Sequence, residues 1–157
     1  MKYIAYGSNM SREQMAVRCP GAKLVGTGIL EGARLEFYLH ATVEKTGDRK
    51  DRVPVAVWEI DEADERSLDL YEGFPDYYVK DTWKARLDDG TETEGMIYLM
   101  KRIRQSPPRA AYYGGIADAY RELGLEAEIE TVLRPALERS LERNCRPEGD
   151  QKSDQKA

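Results

Sequence analysis

Eight residues in the middle of the chain, Val53–Ile60, read VPVAVWEI and give the clearest strand signal of the sequence. β-Branched and aromatic residues of this kind favour strands. Pro54 has no N–H to donate, which indicates the start or the edge of the strand. The fold therefore contains a sheet, and the elements on either side of this strand decide what kind of sheet it is.

Those elements do not alternate regularly between strand and helix. The other predicted strands are Lys2–Tyr6, Lys23–Leu30, Ala33–Leu39, Tyr77–Leu87 and Thr91–Met100. The predicted helices run from about Arg12 to Arg18 behind a capping box at Ser11, from Asp61 to about Tyr71 with Gly73 beyond its end, and from Ser106-Pro107 to Leu123. This order predicts an α+β domain with a small mixed sheet or barrel at its core and short helices at its ends.

Two segments leave a choice open. His40–Arg52 is polar and charged, so it is predicted as a loop or a ragged hairpin. Near the C-terminus, an apolar stripe repeats every four residues on a predicted helical segment. Its members are Leu125, Ile129, Leu133, Leu137 and Leu141, and Pro135 is predicted to kink or divide the segment.

The length of 157 residues fits one domain, predicted as 1–145, and the small, polar residues 146–157 are predicted to form a disordered tail. The net charge of −5 argues against a general binder of nucleic acids or anionic membranes. No apolar stretch approaches a membrane span, and the N-terminus lacks a signal sequence, so we expect a cytoplasmic protein. The sequence leaves a homodimer open.

The chain has few residues for metal or nucleophilic chemistry. It contains two cysteines, Cys19 and Cys145, whose spacing matches no zinc pattern, and one histidine, His40, with no evident partner. A metal site is therefore not expected. A Ser-His-Asp or Cys-His device would have to use His40, so an enzyme of this sequence is expected to work with a carboxylate.

The first candidate site is Tyr6-Gly7-Ser8-Asn9, between the first strand and the first helix. Gly, Ser and Asn are common in such connections for local reasons alone. Alternatively, their successive N–H groups form a concavity that binds a carboxylate, a phosphate or an oxyanion. The spacing by itself favours the simple turn.

The second candidate is Glu72, at the end of the second predicted helix. A negative charge is unfavourable there because the helix dipole is negative at that end. Most glutamates are exposed surface residues, but four aromatic residues, Tyr71, Phe74, Tyr77 and Tyr78, lie within six positions of this one. Aromatic surroundings reduce solvation and raise the pKa of a carboxyl group, as a general base near neutral pH requires.

These segments together resemble the gamma-glutamylcyclotransferase family, which includes AIG2-like proteins. The similar segments are Tyr3–Met10 (YIAYGSNM), Val53–Ile60, Leu68–Gly73 (LDLYEG), Tyr77–Val79, Tyr98–Met100, Pro107-Pro108 with Tyr112, and Gly124-Leu125. Each is weak alone, but their order is specific. The C-terminal stripe is longer than the shared motifs require.

The resemblance implies a small fold with a β-barrel core and a reaction that needs no cofactor. In that reaction, the α-amine of a γ-glutamyl compound attacks its own γ-carbonyl and releases 5-oxoproline and an amine or amino acid. Glu72 would be the general acid/base, and the backbone of Gly7, Ser8 and Asn9 would hold the α-carboxylate or polarise the carbonyl oxygen. The residues implied to line the pocket are Tyr6, Met10, Tyr78 (with Tyr77 as its alternative), Tyr98 and Tyr112.

Two other functions stay open at this point. One is a non-catalytic AIG2-like module that binds a small carboxylated ligand or a partner protein. The other is a structural domain that interacts through the segment Leu125–Leu141. The enzymatic hypothesis makes a geometric prediction, since it requires Glu72 in one pocket with Gly7–Asn9.

Overall fold

Five of the seven strands that the structure describes close into a barrel. The structure is a computed structural model that describes residues 1–145, so the predicted tail lies outside the described residues. The strands are β1 (Lys2–Ala5), β2 (Lys23–Glu31), β3 (Ala33–Tyr38), β4 (His40–Lys45), β5 (Arg52–Glu59), β6 (Tyr78–Leu87) and β7 (Glu92–Met100). The helices are α1 (Arg12–Arg18), α2 (Glu62–Glu72), α3 (Ala110–Glu122), α4 (Glu126–Glu128) and α5 (Arg134–Asn144).

The barrel has the strand order β1-β5-β2-β6-β7, and a parallel pair between Tyr3 and Met96 closes it. The predicted α+β fold with a mixed barrel is therefore confirmed. β5 lies between β1 and β2, and its residues from Val53 to Trp58 are all buried. At Pro54 the strand pairs with β2 alone, since β1 reaches only to Ala56, and this agrees with the predicted edge position.

Strands β2 and β6 pair through only two residue pairs, and their close approach requires a glycine at position 28. Gly28 pairs with Leu87, and a Cβ on Gly28 would lie 3.0 Å from the carbonyl carbon of Arg86. Because that neighbour is backbone, we expect Gly28→Ala to lower the free energy of unfolding by about 1–3 kcal/mol in a denaturant titration. Gly26→Ala is the matched control, since a Cβ there meets nothing within 4 Å, and its effect should stay below about 0.5 kcal/mol. Equal effects of the two substitutions would contradict close strand contact as the cause.

The strands β3 and β4 form a separate hairpin that leaves the barrel. The ambiguous segment beginning at His40 is thus a regular strand up to Lys45, paired with β3 from Ala33↔Lys45 to Tyr38↔His40. Leu39 alone forms the tip of the hairpin, with a positive φ of 67° that non-glycine residues seldom adopt. The tip is attached to the loop between β7 and α3 by a 2.7 Å hydrogen bond from the N–H of Leu39 to the carbonyl of Ser106.

The first two helices begin and end as predicted, and the third begins later than predicted. Ser11 Oγ accepts the N–H of Gln14 at the start of α1, and Gly73, with φ 63°, ends α2 directly after Glu72. The prediction that α3 opens at Ser106-Pro107 is wrong, because this helix starts at Ala110. A residue that precedes proline disfavours the helical conformation, so the two prolines delay the helix.

The C-terminal helical segment packs against the β3–β4 hairpin. A π-helical turn, Ile129–Leu133, separates α4 from α5 directly ahead of Pro135, as the predicted division requires. The predicted stripe is buried only in part: Ile129 and Leu133 are buried, but Leu141 is 45% exposed. A spacing of four residues drifts around a helix of 3.6 residues per turn, so Ala136 and Ser140 take the buried positions instead. No helix in residues 1–145 has the length and apolar character needed to cross a membrane.

Candidate active site

A cavity of about 220 Å³ brings together the ends of several elements. Its lining includes eight of the nine residues predicted for the site: Tyr6, Gly7, Ser8, Asn9, Glu72, Tyr78, Tyr98 and Tyr112. These residues come from the loop after β1, the last turn of α2, the start of β6, the end of β7 and the first turn of α3. The barrel therefore gathers into one place segments that are distant in the chain.

Glu72 and the Gly7–Asn9 loop are in direct contact. The Asn9 side-chain amide donates to Glu72 Oε1 at 3.3 Å across a separation of 63 residues. The same Nδ2 donates to the hydroxyl of Tyr3 at 2.9 Å, and the Asn9 carbonyl accepts from Trp58 Nε1 at 3.0 Å. The geometric prediction for Glu72 is confirmed, and Asn9, only 2% exposed, is the residue that connects the two halves of the site.

The environment of Glu72 changes its proton affinity. Burial raises the pKa of this carboxyl group from 4.5 to about 7, and the nearby positive charge of Arg18 opposes the rise. The side chain is still partly exposed to the cavity, so it can exchange a proton with a bound molecule. A carboxyl group with a pKa near neutrality can accept and return a proton at physiological pH.

The tyrosines of the wall differ in the use of their hydroxyl groups. Tyr78 donates to the carbonyl of Ala41 at 2.7 Å, and Tyr98 donates to Asp69 Oδ1 at 2.6 Å. Tyr6 likewise donates to the carbonyl of Tyr98. Tyr112 instead accepts the N–H of Ala41 at 3.1 Å, so its own hydroxyl proton is available to a bound molecule. Burial raises the pKa of Tyr78, Tyr98 and Tyr112 far above the usual value, so all three stay protonated.

A family model described as gamma-glutamyl cyclotransferase, AIG2-like, matches residues 3–115. The chain belongs to this family. The match covers the Gly7–Asn9 loop, Glu72 and the tyrosines of the wall, so every residue that lines the cavity lies inside it.

Relatives of known identity agree with the gamma-glutamyl cyclotransferase family. The human and mouse proteins named gamma-glutamylcyclotransferase are each 29% identical over 145 residues, which cover 84% of this chain and 76% of theirs. A solved structure named gamma-glutamyl cyclotransferase superposes with a TM-score of 0.76 at 28% identity and covers 85% of both chains. The likeness thus extends to sequence and fold together.

One predicted residue does not fit the cavity of this family member. Met10, the last residue of the short 3-10 turn Ser8–Met10, is fully buried in the core and is absent from the lining. Tyr77 and Tyr78, treated as alternatives in the sequence, both line the cavity.

Sequence reasoning missed several lining residues, above all His40 and Arg18. His40 Nδ1 lies 2.7 Å from the hydroxyl of Tyr77, and the ring also contacts Tyr112 edge to face. The sequence showed no partner for His40 because Tyr77 and Tyr112 are distant from it along the chain. Arg18 ends α1, where a basic residue is usually explained by the helix dipole, so no local signal distinguished it.

Proposed function

We propose that this chain is a gamma-glutamyl cyclotransferase. The observation that carries the proposal is the contact between Asn9 and Glu72, which joins the Gly7–Asn9 loop to a carboxyl group whose pKa is raised to about 7. The family assignment and the two relatives of that name support it. A pure binding site for a carboxylated ligand has no need of a desolvated carboxylate in its wall.

In the proposed reaction, Glu72 takes a proton from the α-ammonium group of a γ-glutamyl compound. The freed α-amine attacks the γ-carbonyl carbon, and the bond between the two closes a five-membered ring. The C–N bond to the leaving group then breaks as Glu72 returns the proton to the leaving nitrogen, and the second proton of the attacking nitrogen passes to the released amine, which leaves as an ammonium group. The products are 5-oxoproline and an amine or amino acid. Every step is a proton transfer or an acyl transfer, so the proposed reaction needs no cofactor.

Each part of the site has a role in this scheme. General acid–base help of this kind is worth about 10²–10⁴-fold in rate. The wall of tyrosines would fold the substrate so that its amine lies against its carbonyl, and such proximity gives large effective concentrations. The backbone of Gly7, Ser8 and Asn9 would hold the α-carboxylate or polarise the carbonyl oxygen, and the hydroxyl of Tyr112 is a further donor.

The homodimer that the sequence leaves open stays a prediction.

The test is a measurement of 5-oxoproline release from a panel of γ-glutamyl amino acids and γ-glutamyl amines. The proposal expects turnover of at least one of them, unchanged by a chelator. Binding of these compounds without any turnover would instead favour the non-catalytic module.

The pH dependence of the reaction should follow Glu72. Because its pKa is about 7, kcat/KM should fall about tenfold per pH unit below pH 7 and be about 100-fold below its plateau at pH 5. His40 faces the same cavity, but burial and two arginines lower its pKa below 6.5, so its titration lies at lower pH. A His40→Asn variant should therefore keep the acidic limb near pH 7. Loss of the limb in that variant would assign it to His40 instead.

A further inference from the structure

Arg18 reaches the cavity with part of its guanidinium group unused. Its Nη1 donates to Ser8 Oγ at 3.2 Å and to Asn9 Oδ1 at 2.5 Å, and the guanidinium lies 4.3 Å from the centre of the Tyr71 ring. Within residues 1–145, the guanidinium of Arg18 donates through Nη1 alone, so Nε and Nη2 have no hydrogen-bond acceptor. An arginine has five N–H donors in a planar fork, so the free edge can bind a second planar group.

The charges of the cavity wall form a pair. Among the described residues that line it, Arg18 is the only permanently positive side chain and Glu72 the only carboxyl group. The two contact opposite ends of one amide, since Asn9 accepts from Arg18 through Oδ1 and donates to Glu72 through Nδ2. The positive and negative groups are therefore held one small side chain apart.

We propose that Arg18 binds the α-carboxylate of the substrate through Nε and Nη2 while Glu72 receives the α-ammonium group. This inference rests on the proposed function and adds a substrate-binding residue to it. A γ-glutamyl head has its carboxylate and its ammonium on one carbon, which suits two opposite charges separated by a single amide. A bidentate arginine–carboxylate pair is also strong and orientation-specific.

The assignment decides between the two roles left open for the Gly7–Asn9 backbone. With the carboxylate on Arg18, these N–H groups are free to polarise the γ-carbonyl oxygen. The carboxylate of a leaving amino acid is a less suitable partner of Arg18, because it is several bonds away from the amine that Glu72 must reach.

The test compares three substrates that differ by one carboxylate. They are γ-glutamyl-alanine, 4-aminobutanoyl-alanine, which lacks the α-carboxylate, and γ-glutamyl-ethylamine, which lacks the leaving-group carboxylate. The proteins are the wild type, Arg18→Gln, Arg18→Lys and the control Arg12→Gln, a change at an exposed arginine of the same helix. The readout is kcat/KM for release of alanine or ethylamine at the pH plateau.

In the wild type and in Arg12→Gln, loss of the α-carboxylate should lower kcat/KM about 10–100-fold. In Arg18→Gln, loss of the α-carboxylate should lower kcat/KM by less than about threefold. In Arg18→Lys the decrease should lie between those of the wild type and Arg18→Gln. Arg18 also holds Ser8 and Asn9, so its replacement lowers all rates, but this structural effect cancels in the ratio of two substrates. The proposal is overturned if loss of the α-carboxylate lowers kcat/KM as much in Arg18→Gln as in the wild type. It is also overturned if Arg18→Gln changes only the effect of the leaving-group carboxylate.

A binding measurement separates this inference from the proposed function. Calorimetric titration with 5-oxoproline and with 2-pyrrolidinone, the same ring without its carboxylate, needs no turnover. Preference for 5-oxoproline in the wild type that Arg18→Gln abolishes supports the carboxylate site even if no γ-glutamyl compound is cyclised. Equal affinity of the wild type for the two rings would contradict a carboxylate site at Arg18, whether or not γ-glutamyl compounds are cyclised. Circular dichroism verifies that each variant is folded.

Discussion

Glu72→Gln is expected to lower the rate of 5-oxoproline release about 10²–10⁴-fold. Glutamine keeps the size of the side chain and an oxygen that can accept from Asn9, but it cannot take a proton from the α-ammonium group. Turnover is measured with the best γ-glutamyl substrate of the panel at pH 8, where the wild-type carboxyl group is ionised because its pKa is about 7.

The matched control is Glu62→Gln, which removes an exposed carboxylate from the first turn of the same helix. Its turnover should equal that of the wild type. Glu72→Gln should also melt no earlier than the wild type, because an uncharged amide avoids the cost of desolvating an ionised group. Equal turnover by Glu72→Gln and the wild type would remove Glu72 from the mechanism, and Asn9 and Tyr112 would have to act without a base.

Glu36→Ala is expected to lower the free energy of unfolding by about 3–5 kcal/mol. Glu36 is 1% exposed on β3 and is contacted by three arginines. Arg139 Nε and Arg143 Nη1, both on α5, lie 3.0 Å from its two oxygens. Removal of the carboxylate leaves these cations partly buried without a counter-charge, which costs far more than the loss of a surface pair.

The measurement is a denaturant titration followed by circular dichroism, with Glu44→Ala as the control. Glu44 is an exposed glutamate on the neighbouring strand, so its removal should cost less than about 1 kcal/mol. Because a small domain is stable by only about 5–15 kcal/mol, the difference between the two variants is large enough to decide. A similar small effect of both would mean that solvent already compensates the three arginines.

The Glu36 cluster also explains why the helical C-terminal segment belongs to the fold. Arg139 and Arg143 donate to the carbonyls of Leu35 and Phe37 at 2.7 and 2.8 Å, so α5 is attached to the backbone of β3. The hairpin that α5 supports presents His40 and Ala41 to the cavity. The segment therefore stabilises the hairpin that forms one wall of the candidate site.

The sequence by itself determined the type and the ends of those strands and helices whose signals come from residues adjacent in the chain. The apolar run of β5 predicted a strand, Ser11 predicted the start of α1, and Gly73 predicted the end of α2. The end of α2 matters for function, because the residue before Gly73 is Glu72. A glycine adopts the left-handed conformation at little cost, so the place where this helix ends is written in the sequence.

Only the tertiary structure decided which distant segments meet. β3 pairs with β4 outside the barrel, and the contact of Asn9 with Glu72 crosses 63 residues. Arg18 and His40 gave no local signal, because their partners come from other elements of the fold. Closure of the barrel and packing of the hairpin fix these contacts, and both depend on the summed burial of many side chains. The sequence thus determined the two halves of the site, and the fold determined that they form one site, with Arg18 beside the Gly7–Asn9 loop.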